Sequence, residues 1–191
     1  MLRVDRHALI FAQDETDLLL FPPLRAAWSL IGQPKRVLIT GRNAKRVLFG
    51  ALNLVSGRRL LLPRFHQRAE DFQAFLFCLR SHHPQHRIAL LLDEDSSHIA
   101  QESQEDAASL EIELLWLPHR SPHLNPADSL WRVAKQEVCA NYQEAHIDSL
   151  LQKFIAHLRR LSPEQALRTA GVFSPRFWLK SILSKFFCGL T

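Results

Sequence analysis

The sequence predicts an α/β fold: a mixed sheet flanked by helices, with extra helices at the C-terminal end. Three observations lead there. A group of β-rich stretches opens the chain, short apolar runs then alternate with amphipathic stretches, and nearly everything after residue 127 has helical spacing. Such an order describes an antiparallel meander followed by crossovers that bring later strands back parallel.

The elements follow in turn. Residues 8–12 (ALIFA) form a short apolar run bounded by charge, read as a buried strand that ends before Asp14. A loop with Pro22, Pro23, Gly32 and Pro34 comes next. Residues 36–40 (RVLIT), 46–55 and 58–65 are rich in strand formers, and Ser56-Gly57 signals a hairpin. Residues 70–81 put Phe72, Phe75, Leu76 and Leu79 on one helical face, and Pro84 ends that helix. Residues 87–92 (RIALLL) do not alternate, as expected of a central strand buried on both faces. Residues 98–109 are a weaker helix and 111–117 another strand. A Pro-containing loop over 118–126 precedes helices at 127–140, 145–161, 163–170 and 175–187. The ribonuclease H-like fold has this order.

With 191 residues the chain can bury one full core. Hydrophobic residues make up 47%, which excludes wholesale disorder. No apolar run approaches the roughly 18–20 residues of a membrane span. Arg3, Asp5 and Arg6 crowd the start, so no secretory signal is read there and a cytoplasmic location is expected. Cys78, Cys139 and Cys188 are too scattered for a disulfide framework or a zinc spacing. His82, His83 and His86 cluster beside Pro84 and read as a polar loop.

The net charge is +5, and its placement is uneven. Residues 1–87 carry 14 Lys and Arg against 6 Asp and Glu; residues 88–131 carry Arg120 alone against 9 acids; residues 132–191 carry 9 bases against 4 acids. An acidic middle between basic flanks suits a cation site within a phosphate-binding surface. Arg25, Lys35, Arg36, Arg42, Lys45 and Arg46 form the densest basic run and are expected to contact DNA phosphate. His119 and Arg120, in the 118–126 loop, join them as candidates.

Three acids stand near element ends: Asp14 after the first strand, Asp93 after RIALLL, and Asp128 opening the helix at 127. If the first and fourth strands are neighbours, Asp14 and Asp93 meet, and a helix across the sheet end can deliver Asp128. Carboxylates so crowded repel, and hard divalent cations relieve the repulsion. Two Mg²⁺ or Mn²⁺ ions can activate a nucleophile and stabilise a leaving oxygen at phosphorus.

The stretch 117–131, LPHRSPHLNPADSLW, resembles the third catalytic motif of DDE-type transposases of the mariner-like superfamily, in its bacterial insertion-sequence branch. Leu117, Pro118, Ser121, Pro122, Leu124, Asn125, Pro126, Asp128 and Trp131 match it. LLLDEDSSH at 90–98 resembles the second motif, with 34 residues between Asp93 and Asp128. Residues 13–34 resemble the first, through Asp14, Pro22, Pro23, Leu24, Arg25, Trp28, Gly32 and Pro34.

The resemblance implies a ribonuclease H-like catalytic domain over 1–145, with 146–191 as its helical extension. It implies that Asp14, Asp93 and Asp128 are both the catalytic and the metal-binding triad. The implied chemistry is cleavage of DNA at element ends and attack of the freed 3′-hydroxyl on target DNA. The sequence departs in having Asp rather than the branch's more frequent Glu at position 128, and Glu94-Asp95 where Asn-Ala is usual. Helix-turn-helix modules usually precede such domains. Here a separate subunit or the product of an upstream reading frame is expected to supply one, with a homodimer acting on double-stranded DNA at the nucleoid. Two other readings stay open: a decayed transposase remnant that only binds DNA, and a nuclease of the same fold acting on RNA–DNA hybrids or branched DNA.

Overall fold

The structure is a computed structural model describing residues 8–33 and 36–180. Five strands, β1 (Leu9–Leu19), β2 (Lys45–Asn53), β3 (Arg59–Arg64), β4 (Ile88–Leu92) and β5 (Ile112–Trp116), form one sheet in the order β3-β2-β1-β4-β5. β1, β2 and β3 pair antiparallel, and β4 and β5 extend the sheet parallel to β1. The meander and the crossovers are thus as the sequence predicts.

Helices α1 (Ala69–His82), α2 (Ser96–Ile99) and α3 (Gln101–Ser109) lie between β3 and β5 in the chain, and α4 (Pro126–Val138), α5 (Ile147–Arg160) and α6 (Pro163–Thr169) follow. The sheet carries a core on each face. Phe72, Phe75, Leu76 and Leu79 of α1 pack against Phe11, Val47, Phe49 and Leu90. On the other face Leu130, Trp131 and Ala134 of α4 and Leu150, Phe154 and Leu158 of α5 pack against Ile10, Ala12, Leu48, Leu52 and Leu91. The alternation along β1 sends Ile10 and Ala12 to one core and Phe11 to the other, as a pleated strand must. The hairpin turns at Gly57, whose φ is +69°, a conformation that suits glycine.

The sequence reading needs four corrections. β1 does not stop at residue 12; its pairing with β2 continues from Phe11 opposite Asn53 to Leu19 opposite Lys45. Asp14 therefore sits inside the strand, because the backbone ladder runs on past the first charged side chains. Residues 36–40 form no strand; Thr40 donates its N–H to Gln143 Oε1 instead, 2.6 Å away. The stretch 98–109 is two helices that break at Ala100, where ψ is 138°. Of the helix expected at 175–187, residues 175–179 are turns or irregular. Leu179 is buried there and Phe177 packs beside it, so the apolar spacing serves the core without a helix. Residues 181–187 of that stretch lie outside the described residues, as does Lys35.

Gly50 is opposite Asp14 in the β1–β2 ladder. A Cβ there would stand 2.5 Å from the ring of Trp131. Gly50→Ala is expected to push α4 off the sheet and cost about 1–3 kcal/mol, read from urea unfolding.

Candidate active site

Three elements converge at one end of the sheet. The parallel register pairs Ala12 with Leu91; continued two residues further, it sets Asp93, just past β4, level with Asp14. Asp128 is the third residue of α4, which packs on β1. Asn125 ties that helix down. Its Nδ2 donates to the carbonyl of Gln13, 2.8 Å away, and its Oδ1 accepts from the N–H of Ala127 at 3.0 Å. One buried side chain thus caps α4 and fixes its start beside Asp14. Trp178 braces the same loop from outside, its indole N–H donating to Leu124 O at 3.0 Å. Asn125→Ala removes a cap and strands a buried carbonyl, so a loss of about 2–3 kcal/mol is expected in thermal or urea unfolding.

Asp93 is held from the other side. The ring of His98, fully buried, rests against Phe72 with centroids 4.4 Å apart. Its Nδ1 lies 3.1 Å from Asp93 Oδ1, and its Nε2 lies 2.9 Å from Oε1 of buried Glu15. Both ring nitrogens donate only in the imidazolium form. Burial opposes that charge, but the bonds to Asp93 and Glu15 outweigh it and push His98 up to about 10. The bond from His98 holds the Asp93 carboxyl below the usual carboxylate range, although partial burial works against it.

Asp14 behaves oppositely. Burial first, then the charges of Glu15, Asp93 and Asp128, push its carboxyl up to about 8. The three acids therefore feel one another across this end of the sheet. Among the described residues, no three His, Cys, Asp or Glu side chains are already drawn together closely enough to hold an ion. The mutual repulsion that raises Asp14 also resists closer approach. A group that would otherwise be neutral at pH 7, beside two further carboxyls, is a donor set suited to a hard divalent cation.

Asp14 and Asp128 line an open cleft of about 440 Å³ together with Glu15, Asp17, Arg25, Arg132 and Lys135. Asp93 does not line it; its carboxyl turns towards His98. A strand and a helix start thus present acids to one cleft, and the strand-end acid Asp93 stands close enough for its charge to act on Asp14. The DDE superfamily endonuclease family matches the chain over residues 9–151, three-quarters of its length. The chain belongs to that family.

This DDE endonuclease chain is also similar to a curated insertion-element protein and to solved transposase structures. The insertion element IS630 uncharacterized 39 kDa protein of Shigella sonnei is 28% identical over 156 residues, covering 81% of this chain and 46% of that protein. The chain thus spans about half the length of this curated relative. A crystal structure of the Mos1 mariner paired-end complex with Mn is 21% identical with a TM-score of 0.70, over 96% of this chain and 57% of that one. The crystal structure of the catalytic domain of Mos1 mariner transposase gives a TM-score of 0.64 at 20% identity, covering 95% and 83%. These two likenesses show that the five-stranded mixed sheet and its helices have the fold of that catalytic domain.

The basic residues expected at DNA divide. Arg25 lines the cleft. Arg36 lines a second cleft that also contains Arg25. Lys45 is paired with Asp17 at 2.6 Å, and Arg46 with Asp148 at 2.9 Å while lying over the Phe65 ring. Arg42 is exposed, its backbone carbonyl accepting from Gln143. His119 is exposed and 3.3 Å from Glu94, and Arg120 is exposed with a φ of +54°. The sequence reading missed Arg132 and Lys135. The signal was present: they lie four and seven positions after Asp128 in a stretch read as helix, hence on its face.

Proposed function

We propose that this chain is the catalytic domain of a transposase that cuts DNA strands and transfers the freed 3′-hydroxyl to target DNA, using divalent metal held by Asp14, Asp93 and Asp128. The observation that carries this is the placement of Asp14 and Asp128 in one open cleft rimmed by Arg25, Arg132 and Lys135, with Asp93 level with Asp14 at the end of the neighbouring strand. Mos1 mariner paired-end complexes have been crystallised with Mn and with Mg, which favours the same metals here. Divalent metal held by Asp14, Asp93 and Asp128 would supply charge neutralisation and Lewis acidity at a phosphate oxygen.

The chain's own residues do the rest. Asp14 on β1, Asp93 after β4 and Asp128 on α4 would together position one phosphate, and positioning supplies much of the rate of phosphoryl transfer. His98 keeps Asp93 ionised and oriented. Asn125 holds α4, and so Asp128, against β1. Arg25 offers positive charge at the rim. No side chain needs to bond covalently to DNA, so one site can serve both hydrolysis and joining. Recognition of element ends would come from a helix-turn-helix partner or upstream product, with two copies acting on paired ends in the bacterial cytoplasm.

Plasmid nicking tests this. Supercoiled DNA should be nicked with Mn²⁺ or Mg²⁺ and left intact with a chelator. Salt-sensitive DNA binding with no metal-dependent nicking would contradict the proposal and favour a decayed, binding-only domain.

A further inference from the structure

We propose that Gln13 is a positioning residue for the cation site: its main-chain carbonyl and its side-chain amide tie the elements that carry Asp128 and Asp93 to the strand that carries Asp14. The proposal rests on the reading of those three acids as one cation site.

The pleat of β1 gives the first argument. Ala12 belongs to the core under α4 and Phe11 to the core under α1. By the same alternation Asp14 shares the face of Ala12, while Gln13 and Glu15 share the face of Phe11. Gln13 is fully buried there, opposite Ala51 of β2, a small residue of the same core.

The bonds give the second. The Gln13 carbonyl accepts from Asn125 Nδ2, Asn125 Oδ1 caps α4, and Asp128 lies in the first turn of that helix. The Gln13 Nε2 donates to Glu15 Oε1 at 2.7 Å. The same oxygen accepts from His98 Nε2 at 2.9 Å, and His98 Nδ1 lies 3.1 Å from Asp93 Oδ1. Two donors on one carboxylate oxygen fix its rotation, and with it the place of the ring. The Asp14 carboxyl accepts from the Glu15 N–H. All three acids thus lead back, in a few bonds, to Gln13 and its neighbour but one.

The unpaired atom gives the third. Gln13 Oε1 is buried and has no hydrogen-bond partner. An unmet acceptor in a core costs stability, and an apolar side chain of the same length would fill the space without that cost. The amide is therefore kept for its donor end, which meets Glu15. A neutral amide adds no charge to compensate Glu15, and His98 already does so. What the amide adds is direction.

Gln13→Met separates the two arms: the main-chain carbonyl keeps its bond from Asn125, and the bond to Glu15 goes. The melting temperature should stay within about 4 °C of the parent's, because one bond and one unmet acceptor are lost together. In the metal-free protein, NMR should show the His98 ring N–H protons, assigned by their absence from His98→Asn, exchanging with water at least roughly threefold faster than in the parent. Calorimetry should show Mn²⁺ bound about three- to tenfold more weakly, a smaller loss than the roughly 10–100-fold typical of groups bonded directly to a ligand. In the His98→Asn background, Gln13→Met should change Mn²⁺ affinity by less than about twofold, because the route from Glu15 to Asp93 is already cut. Melting curves confirm that each variant is folded. Unchanged ring exchange, unchanged Mn²⁺ affinity, or an equal loss of affinity in the two backgrounds overturns the proposal. Mn²⁺ binding by the parent reports separately on the site: no binding sinks the cation site itself, whereas equal binding by parent and Gln13→Met sinks only the role of Gln13.

Discussion

Asp93→Asn should lower metal-dependent DNA cleavage by roughly a thousandfold, the scale of losing one preorganised charge partner in a transition state. The amide keeps the size of the side chain and its bonding to His98 Nδ1, so the fold should hold. What it loses is the negative charge. The Asp93 carboxyl is held ionised by a fixed neighbour, while Asp14 is pushed towards its neutral form. Removing that anion takes away a charged donor that would attract a cation. It also removes repulsion at the cleft, so DNA should bind the variant as well as the parent or more tightly. Gel-based nicking and anisotropy on the same preparations check both halves. Equal cleavage by variant and parent would show that Asp93 is not part of the reacting site.

His98→Ala should destabilise the chain by about 3–5 kcal/mol, because it removes one member of a buried ionic group and leaves Glu15 uncompensated inside. The pH dependence has a definite sign. The folded-state value near 10 lies above the ordinary histidine value of 6.5. The stabilisation is therefore complete below about pH 6.5 and is lost as the pH rises towards 10. Urea midpoints of the parent should fall across that window, and those of His98→Ala should not show that fall. His98→Asn, which can still donate to Asp93, should recover part of the cleavage that the alanine variant loses. A flat parent profile, with no stability difference between the two chains at pH 6, would refute the bridge.

Much of the fold was legible because its signals are local. The unbroken apolar run of β4 announced a strand buried on both faces, and Phe72, Phe75, Leu76 and Leu79 named the inner face of α1. The end of β1 was not legible, since Gln13, Asp14, Glu15 and Asp17 look like loop until β2 is seen beside them. The stretch 36–40 misled for the converse reason: its composition is β-rich, yet the Thr40 N–H bonds to the Gln143 side chain and not to a strand. At the site, the motif at 117–131 marked Asn125 and Asp128 together, but only the structure shows Asn125 bonding to the Gln13 carbonyl. The pairing of His98 with Glu15 joins residues 83 positions apart, and no spacing rule reaches that far. The basic run divided on a matter the sequence cannot show, namely which cations already have a carboxylate.

Asp14, Asp93 and Asp128, from three elements, should make one cation site. Calorimetric titration of Mn²⁺ or Mg²⁺ into the parent, Asp93→Asn and Asp128→Asn, with linear DNA present, tests it most directly. Metal should bind the parent and bind both variants far more weakly, because each loses a donor to the same site. No binding to the parent, or binding to both variants as tight as to the parent, would contradict the shared site and with it the proposed chemistry.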